Sequence, residues 1–215
     1  MKEVSFKDFD ILSEQDKSEA LALLHRYDQI DKQDSCQKDF ISFVKHLWPE
    51  FIEGRHHKII GDKFNKIAQG KLKRLIVCLP PRHSKSEFAS TYFPAWMMGK
   101  KGDLKIIQTT HTAELAVRFG RKVRNIIDSE EYQHIFPELK LQADNKSAGR
   151  WTTNQEGESF YAGVGGAITG RGADLLIIDD PHSEQDALSP KSLETAYEWY
   201  TSGPRQRLQP GGTIV

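Results

Sequence analysis

Residues 75–87 read LIVCLPPRHSKSE, and residues 174–184 read DLLIIDDPHSE. Each is a short unbroken aliphatic run, the kind that suits a strand buried on both faces of a parallel sheet. The first run stops at Pro80-Pro81 and passes through a polar turn into Lys85-Ser86, where a helical pattern begins. A lysine and a hydroxyl at a strand-to-helix turn suit a phosphate. Backbone N–H groups and the helix dipole face the anion, the lysine supplies charge, and the hydroxyl can hold Mg²⁺. The strict G-x-x-x-x-G-K-[ST] pattern is not met, because Leu79 and Ser84 stand at its glycine positions. Alone, the stretch is equally a strand, a proline turn and a helix with a solvated lysine. The second run ends in Asp179 and Asp180. That end carries carboxylates to the C-terminal edge of the sheet, where open α/β folds bind ligands. Asp-Asp-Pro is also ordinary turn chemistry. Taken together, the two stretches read as the two halves of a P-loop nucleoside-triphosphatase site.

The rest of the chain supplies the alternation of strands and helices that such a site needs. Residues 7–30 carry Phe9, Leu12, Ala20, Leu21, Leu24 and Tyr27 near helical spacing, and a polar break over 31–39 follows. FISFVKHLWPEF (40–51) is apolar up to Pro49. A second helix over 55–69 places Ile59, Ile60, Phe64, Ile67 and Ala68 on one face. A helix over 87–99 is expected to bend near Pro94, a strand runs over 104–110, and an amphipathic helix covers 112–128. Loops and short antiparallel strands fill 135–162, a flexible connection spans 163–172, and Ser189-Pro190 caps a last helix before the strand-like GGTIV (211–215). The implied fold is α/β, with a mostly parallel sheet flanked by helices. Residues 1–50 read as a helical N-terminal extension and 51–215 as the core. GGTIV reads as a buried strand that has only just begun, so the core is expected to be C-terminally incomplete.

Composition bounds the alternatives. The 215 residues carry 30 Lys+Arg and 30 Asp+Glu, which excludes a uniformly basic nucleic-acid coat but allows local basic faces. Residues 54–86 hold nine Lys/Arg against Asp62 alone, and Arg118, Arg121, Lys122 and Arg124 share one helix; either cluster could meet DNA phosphates or simply be solvated. No apolar run is long enough to span a bilayer, so no membrane partner is expected. The charged opening MKEVSFKDFDILSEQDK is unlike a secretory signal. Two cysteines, Cys36 and Cys78, read as reduced thiols. Adjacent His56 and His57 lack metal spacing.

PPRHSKSE resembles the PPRHGKSE turn of the large terminase subunits of tailed bacteriophages. IIQTTHTAELAVRFGRKVRNII, GVGGAITGRGADLLIIDDPH and YEWYTSGPRQRLQPGGTIV resemble further blocks of the same family, so the likeness covers nearly the whole chain. It implies a RecA-like P-loop ATPase core that hydrolyses ATP with Mg²⁺ to thread double-stranded viral DNA into a procapsid. The setting is the host cytoplasm. The partners are the portal protein and the small terminase subunit, and the assembly is a homo-oligomeric ring, commonly a pentamer. It implies that Pro81, Arg82, His83, Ser84, Lys85 and Ser86 hold the phosphates, with Arg82 as a cis finger on the γ-phosphate, and that Ser86 and Asp179 hold Mg²⁺. Asp180 polarises the attacking water, with Glu184 as rival. Arg171 reaches a neighbouring subunit's nucleotide, and His56 or His57 meets adenine beside Trp48, Pro49 and Phe51. Three departures stand out. Ser84 replaces the usual Gly, and the coupling segment that follows GGTIV in the family does not follow here. The nuclease domain is also absent, so no DNA cutting is expected of these residues. The alternatives are a helicase-type DNA-dependent ATPase and a nucleotide-binding assembly module that does not turn over.

Overall fold

The structure, a computed structural model, describes residues 13–215, without the side chains of Asp144 and Lys146. Helix α1 spans Glu14–Lys38. Ser13 caps it by accepting from the Asp16 N–H at 3.2 Å. Residues 7–12 of the expected first helix lie outside the described residues. The expected polar break over 31–39 is corrected: α1 runs on through Lys38. That stretch holds no Gly or Pro, and its Lys, Gln and Asp residues tolerate a solvated helix. The chain turns only at Asp39, whose carboxylate accepts from the Ser42 N–H at 2.7 Å and so starts α2, Phe40–Leu47. Helix α3 is Arg55–Ala68, with Ile60, Phe64 and Ile67 buried. Ile59 is 54% exposed, a correction to the expected inner face, because it lies a quarter turn away from that stripe.

A π-helical turn, Glu87–Tyr92, leads directly into α4, Phe93–Lys100, so the expected bend near Pro94 takes the form of a widened turn just before it. Strand β1 is Lys105–Thr110, α5 is Ala113–Ile127 and α6 is Glu130–Ile135. Strands β2 (Leu141–Ser147), β3 (Arg150–Thr153), β4 (Glu158–Gly163) and β5 (Ala173–Asp179) follow. Helix α7, Pro190–Ser202, starts at Ser189, whose hydroxyl caps the Ser192 N–H, and β6 is Leu208–Ile214.

The six strands form one mixed sheet in the order β2-β3-β4-β1-β5-β6. β4, β1, β5 and β6 are parallel, while β3 is antiparallel to both β2 and β4. The architecture is α/β with helices on both faces, compatible with a Rossmann-like core. β5 shows why its sequence is an unbroken aliphatic run. Leu175 and Ile177 enter the main core, where Phe40 packs edge-on against Phe64, Phe88 and Trp96. Leu176 faces the opposite way, into a smaller cluster with Ile107 and Ile168 that Tyr200 of α7 packs against.

The other aliphatic run departs from expectation. Residues 75–79 are not a strand buried on both faces. Arg74 makes a single parallel bridge to Ile214, and the Leu75 N–H donates to the Ile214 carbonyl at 3.0 Å. Leu75, Val77 and Leu79 rest half-buried on the main core, while Ile76 is 88% exposed and Cys78 also faces out. This segment lies on the outer edge of β6, and among the described residues no strand lies beyond it. It therefore alternates like a half-covered edge.

Candidate functional site

β1 and β5 run parallel and in register, with Thr110 opposite Asp179, so both deliver their last residues to the same C-terminal edge of the sheet. The turn after residue 79 brings Lys85 to that edge. Its ammonium is in close contact with an Asp180 carboxylate oxygen and lies 3.7 Å from Asp179 Oδ1. Asp179 is 7% exposed, and its other oxygen, Oδ2, accepts from the Ser90 hydroxyl at 2.8 Å. Asp180 is the exposed partner. A buried carboxylate needs such compensation on both oxygens to stay charged.

The backbone here is unusual. Arg82 (φ 64°), Ser84 (φ 61°) and Asp180 (φ 43°) are left-handed, three of the four non-glycine residues with positive φ among those described. Each such residue costs about 1–2 kcal/mol without glycine, and strain of this kind concentrates at functional sites. Interleaved left-handed residues also curl successive N–H groups toward a concave, anion-accepting side. A cleft of about 540 Å³ is lined by Pro81, Arg82, Ser84, Lys85, Ser86 and Asp180. A second cleft of about 510 Å³ shares Lys85 and Asp180 with it and is walled by apolar groups that include Ile76, Ile178, Tyr197 and Val215.

Not every expected site residue joins this convergence. Arg82 is exposed and makes no ion pair among the described residues. His83 bonds through Nδ1 to the Pro81 carbonyl at 2.8 Å, which stiffens the turn. Arg171 pairs with Glu158 and lies 4.1 Å over the Phe160 ring. Glu158 opens β4, so Arg171 sits at the N-terminal edge of the sheet, a strand's length or about 20 Å from Lys85. Glu184 is exposed in the turn after β5, which Ser183 and Asp186 close by mutual hydrogen bonds.

His57 is buried, and its Nδ1 accepts from the Gly54 N–H at 2.8 Å, bracing the start of α3. Burial first, and then neighbouring His56, lower its pKa below the ordinary imidazole value. The His56 ring lies 3.8 Å from that of His57 and 5.5 Å from that of His83, so these imidazoles border the Lys85 turn. Trp48 stacks on Tyr92 and Phe51 packs on His57, so the expected aromatic wall is already engaged within the protein. The basic clusters are partly neutralised. Lys122 pairs with Glu87, a correction to its place on a solvated face; Lys58 meets Glu53 and Lys66 meets Asp62. Burial, with Asp39 next, pushes the Cys36 thiol up to about 11, so it stays protonated and inert.

Ser90 was not singled out in the sequence. Its signal is a hydroxyl four residues past Ser86 inside the apolar stretch FASTYF.

The residues at the cleft could hold an anionic ligand and a hard cation beside it. Lys85, Arg82 and the left-handed turn could accept an anion, and Ser86 and Asp179 offer hard oxygen donors. No group of three or more His, Cys, Asp or Glu that could hold a metal occurs among the described residues. Mg²⁺ commonly binds through one or two protein oxygens plus substrate phosphates and water. Among the described residues no helix is long and apolar enough to cross a membrane. Comparison with known protein families and with curated proteins finds no match.

Proposed function

We propose that this chain is a Mg²⁺-dependent ATPase with a RecA-like P-loop core, the motor domain of a terminase large subunit from a tailed bacteriophage. It hydrolyses ATP to drive double-stranded viral DNA into the procapsid. The observation that carries the reading is the convergence of Lys85 with Asp179 and Asp180 at the C-terminal edge of parallel strands. The terminase-like blocks quoted above carry the step from ATPase to packaging motor. The same likeness supports the portal protein and small terminase subunit as partners, a pentameric ring, and action in the host cytoplasm.

The residues divide the chemistry. Lys85 exchanges its Asp180 partner for the β- and γ-phosphates, which frees the Asp180 carboxylate to take a proton from water. Arg82, exposed and without an ion pair among the described residues, swings onto the γ-phosphate. The backbone of 81–86 orients the chain of phosphates. Asp179 and Ser86 hold Mg²⁺, which when bound neutralises charge on the phosphates. Arg171, at the opposite edge of the sheet, serves a neighbouring subunit.

The deciding experiment measures ATP binding and Mg²⁺-dependent phosphate release, with and without duplex DNA, in the wild type and in Lys85→Ala. The expected result is binding and turnover in the wild type, and a loss of about 10²-fold or more in turnover in the variant. Wild-type turnover in Lys85→Ala would remove the phosphate-binding role of the turn.

A further inference from the structure

We propose that Ser90 is a positioning residue for the Asp179 carboxylate, holding one oxygen in the core so that the other faces the cleft. The inference rests on the reading that Asp179 holds Mg²⁺.

The argument begins at Pro94. In a regular helix the N–H of residue 94 would bond to the carbonyl of residue 90, but proline has no N–H. The ladder widens instead. The Phe93 N–H donates to the Phe88 carbonyl five residues back, closing the π-helical turn. The Ser90 carbonyl, which in a regular helix would accept from residue 94, accepts from Gln108 Nε2 of the sheet at 3.2 Å. Gln108, in the middle of β1, is fully buried, so this bond pins the turn to the strand beside β5.

The side chain is then directed across the gap. A helical serine usually bonds back to its own helix. Ser90, at 0% exposure, instead donates to Asp179 Oδ2 at 2.8 Å. Lys85 lies on the other oxygen, Oδ1, at 3.7 Å. The two carboxylate oxygens therefore have separate duties: Oδ2 is occupied in the core, and Oδ1 is presented to the cleft. Partners of this outer kind typically set metal affinity by 10–100-fold by fixing ligand orientation. Ser90 also follows Lys85 and Ser86 on one continuous segment, so phosphate turn and carboxylate are held by the same piece of backbone. Neighbouring Thr91 is the natural control. It is also buried, but among the described residues its hydroxyl has no hydrogen-bond partner.

The test uses Mn²⁺ as a paramagnetic probe for Mg²⁺, titrated with ADP present and read by electron paramagnetic resonance on the full chain. Ser90→Ala is expected to weaken Mn²⁺ binding by about 10-fold and to leave ATP binding in excess chelator unchanged. Thr91→Val should keep wild-type Mn²⁺ affinity, and Ser90→Thr, which retains a hydroxyl, should recover most of it. Mn²⁺ affinity in Ser90→Ala within about twofold of wild type, or an equal loss in Thr91→Val, overturns the inference and leaves the ATPase reading standing. A wild-type chain that binds no Mn²⁺ with nucleotide overturns both.

Discussion

Residues 75–79 and 175–178 are nearly interchangeable on paper, LIVCL against LLII, and each ends in a turn that carries charge. In the fold they live differently. β5 is bracketed by β1 and β6 and covered on both faces, so every residue from 175 to 177 is buried. The other run touches β6 along one side only, and its odd and even residues separate into half-buried and exposed. An aliphatic run announces that a segment prefers to be buried. How many neighbours it finds depends on strands elsewhere in the chain. The two turns differ as well. Asp179 is fixed from both sides, whereas the 80–86 turn is exposed over residues 80–83 and strained at Arg82 and Ser84.

The sharpest probe of that contrast lies at the chemistry. Asp180→Asn should still bind ATP but lose about 10²–10⁴-fold in kcat, the usual worth of a positioned base. Glu184→Gln should keep near-wild-type kcat, since among the described residues Lys85 pairs with Asp179 and Asp180 and not with Glu184. The opposite pattern in single-turnover kinetics would transfer the water-activating role to Glu184. The next largest effect compares the runs themselves. Ile177→Ala should cost about 2–5 kcal/mol in urea unfolding, and Ile76→Ala within about 0.5 kcal/mol. A large loss at Ile76 would mean that this edge is covered in solution.

A smaller effect is expected at the strained turn. Ser84→Gly relieves a left-handed serine, worth about 1–2 kcal/mol, against about 0.5–1 kcal/mol of added chain entropy. A modest rise in melting temperature, with nucleotide affinity retained, is the expected result. Lowered affinity would show that the serine side chain itself touches phosphate. The smallest effect is a pH slope. The His57 pKa is lowered in the fold, so unfolding takes up a proton once pH drops below the ordinary value of 6.5. Its contribution to stability is complete above that value and is lost as pH falls toward the folded pKa. Melting curves from about pH 7 to 5 should fall less steeply for His57→Gln than for wild type. Identical slopes would mean that His57 is not held neutral.

Several features could be read before any coordinates because their causes are local. Ser189-Pro190 starts α7 through one hydroxyl and one fixed φ. The apolar stripe of 112–128 makes α5, and four aliphatic residues before Asp179 make β5. Other features lay out of reach because their causes are distant. The continuation of α1 through 31–38 follows from helix formers outlasting the apolar pattern, and its polar surface gave no outward sign. The glycine-flanked Arg171 is expected at a neighbouring subunit's nucleotide, and its pairing with Glu158 and Phe160 of β4 has no local sign.

The order of residues alone therefore determined the strand that carries Asp179, the helices around it, and the charge placed at each turn. These follow from periodicity, caps and prolines within a few residues of one another. Tertiary structure decided which carboxylate oxygen faces the cleft, that Ser90 and Gln108 hold the turn, that Arg171 lies at the far edge, and that residues 75–79 are left half open. Each of these joins residues from 11 to nearly 140 positions apart. Such contacts depend on strand order and register, which no local pattern encodes.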